Sequence, residues 1–147
     1  MQTGCLHIYT GNGKGKTTAS LGLICRALGH SRKVCLIQFM KKNFTYGEIQ
    51  FLQKQENIDI FQFGTAELID PAAPAEIDFS EAKAALKKAE SVLQEKKYDL
   101  IVIDEINVAL YFKLVPLPEV VELAKHAKQQ RLKSCLPAVT QHRNLLK

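Results

Sequence analysis

The 147 residues make one domain's worth of chain, long enough to bury a core, and the composition of 46% hydrophobic and 24% charged residues is that of an ordinary globular protein. No apolar run reaches bilayer-spanning length, and the opening residues lack a signal-peptide pattern, so a cytoplasmic location and no membrane partner are expected. The net charge of +5 resides in the tail: from Ala124 onward there is no acidic residue, and Lys125, Lys128, Arg131, Lys133, Arg143 and Lys147 carry six positive charges, so +5 less those six leaves −1. A near-neutral body without a basic, aromatic-studded stripe excludes nucleic acid as the expected partner.

Taken in chain order, strand-length apolar runs alternate with helix-period segments, the pattern of an α/β fold with a mostly parallel sheet and crossover helices. Residues 5–9 predict a first buried strand, and a glycine-rich turn leads into a helix over 17–28 closed by Gly29. VCLIQF (34–39) is a second strand, followed by a short helix over 47–55 and a strand over 58–63. Pro71 and Pro74 mark residues 64–78 as a loop. Asp78 or Ser80 can cap the next helix, which runs to Lys96 with Ala82, Ala85, Leu86, Ala89, Val92 and Leu93 on one face. LIVID (100–104) is the most apolar strand, and Pro116 and Pro118 precede a helix over 119–128. Cys5, Cys25, Cys35 and Cys135 have no metal-ligand spacing, and the first three fall in strand or helix runs, which predicts buried reduced thiols. His7 and His30 read as structural.

The turn TGNGKGKTT carries the chemistry. Gly11, Gly13 and Gly15 let backbone N–H groups close on phosphate oxygens, and the following helix adds its positive end. Thr10, Asn12, Lys14 and Thr18 complete the nucleotide-binding candidates; Lys16 reaches for terminal phosphates, and the Thr17 hydroxyl is a Mg²⁺ ligand. Thr10 stands where the usual G-x-x-x-x-G-K-[ST] pattern has its first glycine. A glycine turn followed by a solvated lysine is the plain alternative, and the strand–turn–helix context with its Thr-Thr pair weighs against it. YDLIVIDE then brings two carboxylates to a strand end: Asp104 to hold Mg²⁺ through water, and Glu105 to position a water or substrate group. A solvated turn at a strand end is the alternative there, and the phosphate loop upstream favours the functional reading.

Four segments, HIYTGNGKGKTTASLGLICRALGH, VCLIQFMKKNFTYGE, KKYDLIVIDEINVALYF and PLPEVVEL, resemble the ATP:corrinoid adenosyltransferase family, in its short type without a long N-terminal extension. The resemblance covers residues 6–128, and Thr10 in place of the first glycine is itself typical of that family. It implies a recombinase-like P-loop fold and transfer of the 5′-deoxyadenosyl group of ATP to a reduced Co(I) corrinoid, with release of triphosphate. It further implies Mg²⁺ or Mn²⁺ as metal, a reductase or flavoprotein as electron donor, and a homodimer as the assembly. Lys16, Glu105 and Asn107 take the catalytic places. Phe44, Tyr46, Phe63 and Tyr111, with Phe112 and the loop over 64–78, are the candidates to face the corrin ring, against the alternative that any one of them is packing. Another P-loop kinase or ATPase, or a catalytically impaired nucleotide-binding remnant, are the competing readings.

The resemblance stops after residue 128. The family continues with text like VEVVLTGRNA…ELIE, whereas this chain reads RLKSCLPAVTQHRNLLK, without strand alternation. Joining each codon's last base to the first two of the next lets LPAVTQHRNLLK read LTGRNAASELIE, and RLKSC read VEVV. The expectation is therefore a transferase domain over 1–128, an aberrant, frame-shifted basic tail over 129–147, and a sheet missing its last strand or strands.

Overall fold

The computed structural model describes residues 5–42, 45–129 and 135–139, the last as backbone only. Its elements are β1 (Cys5–Tyr9), α1 (Lys16–Gly29), β2 (Val34–Gln38), α2 (Gly47–Leu52), β3 (Ile58–Gln62), α3 (Glu76–Glu95), β4 (Leu100–Asp104), α4 (Ile106–Tyr111), α5 (Leu117–Gln129) and β5 (Cys135–Val139). The strands form one open parallel sheet in the order β1-β5-β4-β2-β3, so the fold is the expected α/β type of a P-loop-like domain. Among the described residues no helix is long and apolar enough to cross a membrane.

The core follows the pleat of β2 and β4, which are buried on both faces. Val34, Leu36, Leu100 and Val102 pack on one side with Ile24 of α1 and with Ile49 and Leu52 of α2. Cys35, Ile37, Ile101 and Ile103 face the other side, against Ala82, Ala85, Leu86, Ala89, Val92 and Leu93 of α3 and against Leu123 and Ala127 of α5. The predicted stripe on α3 is thus the buried one. Its start lies earlier than predicted, at Glu76, because Asp78 works from inside the first turn: its carboxylate accepts the Ala75 N–H at 2.8 Å. Helix α1 includes Gly29 as its last residue, and Ser31 rather than the glycine takes the left-handed conformation (φ 54°), with the Arg32 N–H closing on the Ala27 carbonyl.

Three expectations are corrected. The strand at Cys135–Val139 stands against the reading of a sheet without its last strand: it pairs with all five residues of β1 and, through Ala138, with Ile103 of β4. A parallel strand with a neighbour on each edge reads as a continuous apolar run, so the missing alternation was the wrong criterion. The rest of the tail, 130–134 and 140–147, lies outside the described residues. Next, β1 is not buried: Cys5, His7 and Ile8 are exposed, because β1 is the edge of the sheet. Finally, Cys35 is buried, but Cys5 and Cys25 are exposed thiols, the latter on the solvent side of α1; the Cys135 side chain lies outside the described residues.

Candidate nucleotide site

Every parallel strand points its carboxyl end the same way, and the crevice at that end collects the polar residues. The turn after β1 runs over Thr10–Gly15 in the open, and two of its glycines hold conformations that a side chain resists: Gly11 at φ 132° and Gly15 at φ 104°. Gly15 is the residue before the first turn of α1, so the loop's N–H groups and the helix N-terminus share one concave surface. Lys16 folds back over this surface, donating to the Gly11 carbonyl at 2.8 Å and to that of Gly13. Asn12, Lys14 and Thr18 are exposed on the same loop and first turn.

One residue further on, the Thr17 hydroxyl donates to the Asp104 carboxylate, at 3.2 Å to Oδ1 and 3.4 Å to Oδ2. These two residues are 87 positions apart, Thr17 in the first turn of α1 and Asp104 at the end of β4, so only the packing of that helix start on the sheet brings them together. Asp104 is fully buried. A threonine hydroxyl beside a carboxylate is a donor set of hard oxygens suited to Mg²⁺, which takes one or two protein oxygens and fills its octahedron with phosphate and water.

Three polar residues that the sequence reading passes over hold Asp104. Gln38 and Gln62 end β2 and β3 in register with it, and they form a chain: Gln62 Nε2 donates to Gln38 Oε1 at 2.7 Å, and Gln38 Nε2 to Asp104 Oδ2 at 3.0 Å. Lys41, just beyond β2, puts its ammonium 3.1 Å from Asp104 Oδ2, 3.1 Å from Glu105 Oε1 and 3.5 Å from Thr17 Oγ1. Burial pulls the Lys41 ammonium down, but Asp104 and Glu105 outweigh it and hold the group above its ordinary value. The signal available in the sequence was Gln38 itself, a polar break in an apolar run that aligns with Asp104 once the two strands are paired.

The backbone around this cluster is bent on purpose. Met40 (φ 56°) and Glu105 (φ 64°) are both left-handed without being glycine, each turning the chain just past a strand end. Glu105 then opens α4, a helix the sequence reading did not place, which carries Asn107. Asn107 is buried, and its Nδ2 has no hydrogen-bond partner among the described residues.

Lys41 and Glu105 also line a cavity of about 300 Å³ shared with Met40, Tyr46, Leu68, Ile69 and Phe112. Of the aromatic candidates, Tyr46 and Phe112 reach this cavity, as does the predicted loop through Leu68 and Ile69. Phe63 packs on the α3 side of the core instead, and Tyr111 is exposed, its ring 5.6 Å from that of Phe112. Phe44 lies outside the described residues.

The family model for ATP:corrinoid adenosyltransferase BtuR/CobO/CobP matches residues 2–144. The corrinoid adenosyltransferase of Escherichia coli (strain K12) is 30% identical over 130 residues, which is 88% of this chain and 65% of that protein. That of Pseudomonas aeruginosa is 36% identical over 113 residues, covering 74% of this chain and 54% of the relative. The corrinoid adenosyltransferase CobA of Salmonella typhimurium is 31% identical over 120 residues, 82% of this chain and 60% of the relative. The chain thus spans less than two thirds of the length of these curated relatives. The family match continues past residue 128, where the resemblance was expected to stop, and because it runs across nearly the whole sequence, phosphate loop and acidic strand included, the chain belongs to the ATP:corrinoid adenosyltransferase BtuR/CobO/CobP family.

Proposed function

We propose that this chain transfers the 5′-deoxyadenosyl group of ATP to the cobalt of a reduced Co(I) corrinoid, in cobalamin synthesis or salvage. One observation carries the reading: the Thr17–Asp104 pair of the phosphate side and the cavity lined by Tyr46 and Phe112 adjoin, with Lys41 and Glu105 belonging to both. The names of the matched relatives support the same chemistry.

In this reading Thr10–Thr18 cradle the triphosphate, with Lys14 and Lys16 as its cations, and Thr17 and Asp104 hold Mg²⁺ or Mn²⁺. That metal supplies charge neutralisation on the phosphate oxygens. The cobalt lone pair forms a bond to C5′ while the C5′–O bond breaks, and the electron pair leaves on triphosphate. No proton moves, so no general base is needed, and the protein's task is to align the two reactants and stabilise the leaving group. Glu105 and Asn107 position groups between the two sites, and the loop over 64–78 with Tyr46 and Phe112 covers the corrinoid. A reductase or flavoprotein supplies the electron, and the transferase domain runs past residue 128 to include β5, which lies inside its sheet.

Anaerobic incubation with ATP, Mg²⁺ and chemically reduced cobalamin tests this: a light-sensitive Co–C spectrum with one triphosphate per turnover is expected. ADP as product would instead mean a kinase or ATPase. A second reading, a nucleotide-binding domain impaired in transfer, is favoured by Pro137, which brings no N–H to a strand flanked on both sides. Sequencing the gene decides whether the tail regroups to VEVVLTGRN, and a chain carrying that text should then transfer faster than this one.

A further inference from the structure

Lys41 makes more contacts with the acidic cluster than any role in holding phosphate would need. Its ammonium touches the Asp104 carboxylate and the Thr17 hydroxyl, the two groups assigned to the metal, and the Glu105 carboxylate as well, and Lys41 also lines the cavity. Its backbone is pinned: the Lys41 N–H donates to the Phe63 carbonyl at 2.9 Å, and Met40 before it is held left-handed. The backbone is thus fixed while the side chain, on four rotatable bonds, can exchange partners.

We propose that Lys41 is the built-in counter-ion of Asp104, competing with the divalent cation for the same carboxylate oxygen. Without nucleotide it neutralises Asp104 and Glu105 and keeps the metal off. When the metal arrives on the triphosphate, Asp104 exchanges partners and the Lys41 ammonium stays on Glu105, which it already touches at 3.1 Å, at the wall of the cavity. Lys41 is therefore a positioning residue that makes metal binding depend on nucleotide and delivers a fixed positive charge to the second site. This rests on the assignment of Thr17 and Asp104 to the metal, but not on adenosyl transfer.

The test is Mn²⁺ titration of the nucleotide-free protein, with free Mn²⁺ read by electron paramagnetic resonance. Lys41→Met should bind Mn²⁺ about tenfold more tightly than the unaltered chain, since two carboxylates lose their internal cation. Lys41→Gln, which keeps a hydrogen-bond donor, covers the case in which the methionine variant does not fold, and it should also bind more tightly. Lys41→Arg should stay weak, and adding Asp104→Asn to Lys41→Gln should remove the gain. Equal or weaker Mn²⁺ binding in the neutral variants overturns the proposal. A tightened site in a protein that makes no Co–C bond would leave it standing and overturn the proposed function instead.

Discussion

Gly64 fixes the position of Lys41 from the neighbouring strand, and replacing it with alanine should cost both stability and site geometry. Its φ of 118° is one that L side chains rarely adopt, and an added Cβ would lie 2.7 Å from the Met40 Cα, 2.9 Å from its carbonyl carbon and 3.2 Å from the Lys41 nitrogen. All three are backbone atoms, so no rotamer change relieves the clash. The Lys41 N–H is bonded to the Phe63 carbonyl and the Gly64 N–H to Glu81 Oε2, so relief by backbone shift would stretch hydrogen bonds on both sides. The left-handed penalty is about 1–2 kcal/mol, and overpacking adds about 1–3 kcal/mol. Together these give about 2–5 kcal/mol, a large share of the ~5–15 kcal/mol that holds a domain together. For a chain of this size that lowers the melting temperature by roughly 5–15 °C. Gly22, inside α1 with open space where a Cβ would stand, provides the opposite sign: alanine there should stabilise by about 0.5–1 kcal/mol. Thermal and urea unfolding of both variants would check the pair, with Mg·ATP affinity measured alongside. A Gly64→Ala protein that melts within a degree of the parent and binds Mg·ATP equally well would refute this account of how Lys41 is held.

Lys16→Ala should weaken ATP binding at least tenfold, because charge-assisted contacts of this kind contribute about 1.5–3 kcal/mol; calorimetry showing unchanged affinity would remove the phosphate-loop assignment. Asp104→Asn should lower activity through the metal, with partial recovery at raised Mg²⁺ or with Mn²⁺, whereas a deficit of equal size at every metal concentration would mark Asp104 as structural. Burial, with Asp59 nearby, pushes the Cys35 thiol up to about 12, so iodoacetamide at pH 8 should label exposed Cys25 in the native protein and Cys35 only after unfolding, as read by peptide mass. The Tyr98 hydroxyl donates to Asp59 Oδ2 at 2.6 Å and holds that carboxyl below its usual range. This contribution is present above the unfolded carboxyl's pKa of about 3.9 and lost as pH falls through the lower folded value. Tyr98→Phe should therefore cost about 1 kcal/mol at pH 7, with the gap to the parent closing in acid; a pH-independent difference in urea midpoints would contradict this.

The parts of the site that a sequence can carry are those set by local backbone chemistry. Glycines at 11 and 15 announce a turn, Lys16 and Thr17 follow at the helix start, and LIVID ends on its acid; each is a short-range pattern, and the folded chain joins Thr17 to Asp104 by a hydrogen bond. Gln38, Gln62 and Lys41 are different. Gln38 shows only as a polar break in an apolar run and nothing nearby marks Gln62 or Lys41, so the three acquire meaning only through the pairing that sets Gln38 opposite both Gln62 and Asp104. Helix α4 escaped for a related reason. INVALY is short, and it starts from a left-handed Glu105 that is not one of the residues expected to turn a chain, so the sequence reading assigned the segment no element. The exposure of Cys5 and Cys25 depended likewise on which strand became the edge and which face of α1 met the sheet, both properties of the assembled layers.

The strand at Cys135–Val139 shows where the same limits apply to the sheet itself. It lies between β1 and β4, parallel to both, the position at which an extended apolar run meets a neighbour on each edge. CLPAV is such a run by hydropathy alone. What it lacks is the full hydrogen-bonding complement, because Pro137 has no N–H to give, and the pairing with β4 is the single register position Ile103↔Ala138 against five with β1. The position therefore asks little for occupancy and more for stability. The contact that joins the two halves of the site, Thr17 to Asp104, runs directly from the first turn of α1 to the end of β4 at 3.2 Å and does not pass through this strand. Replacing Pro137 with a residue that has an N–H should therefore raise stability, read as a higher urea midpoint, while adding no ligand to the site; an unchanged midpoint would mean that the missing N–H costs this sheet nothing.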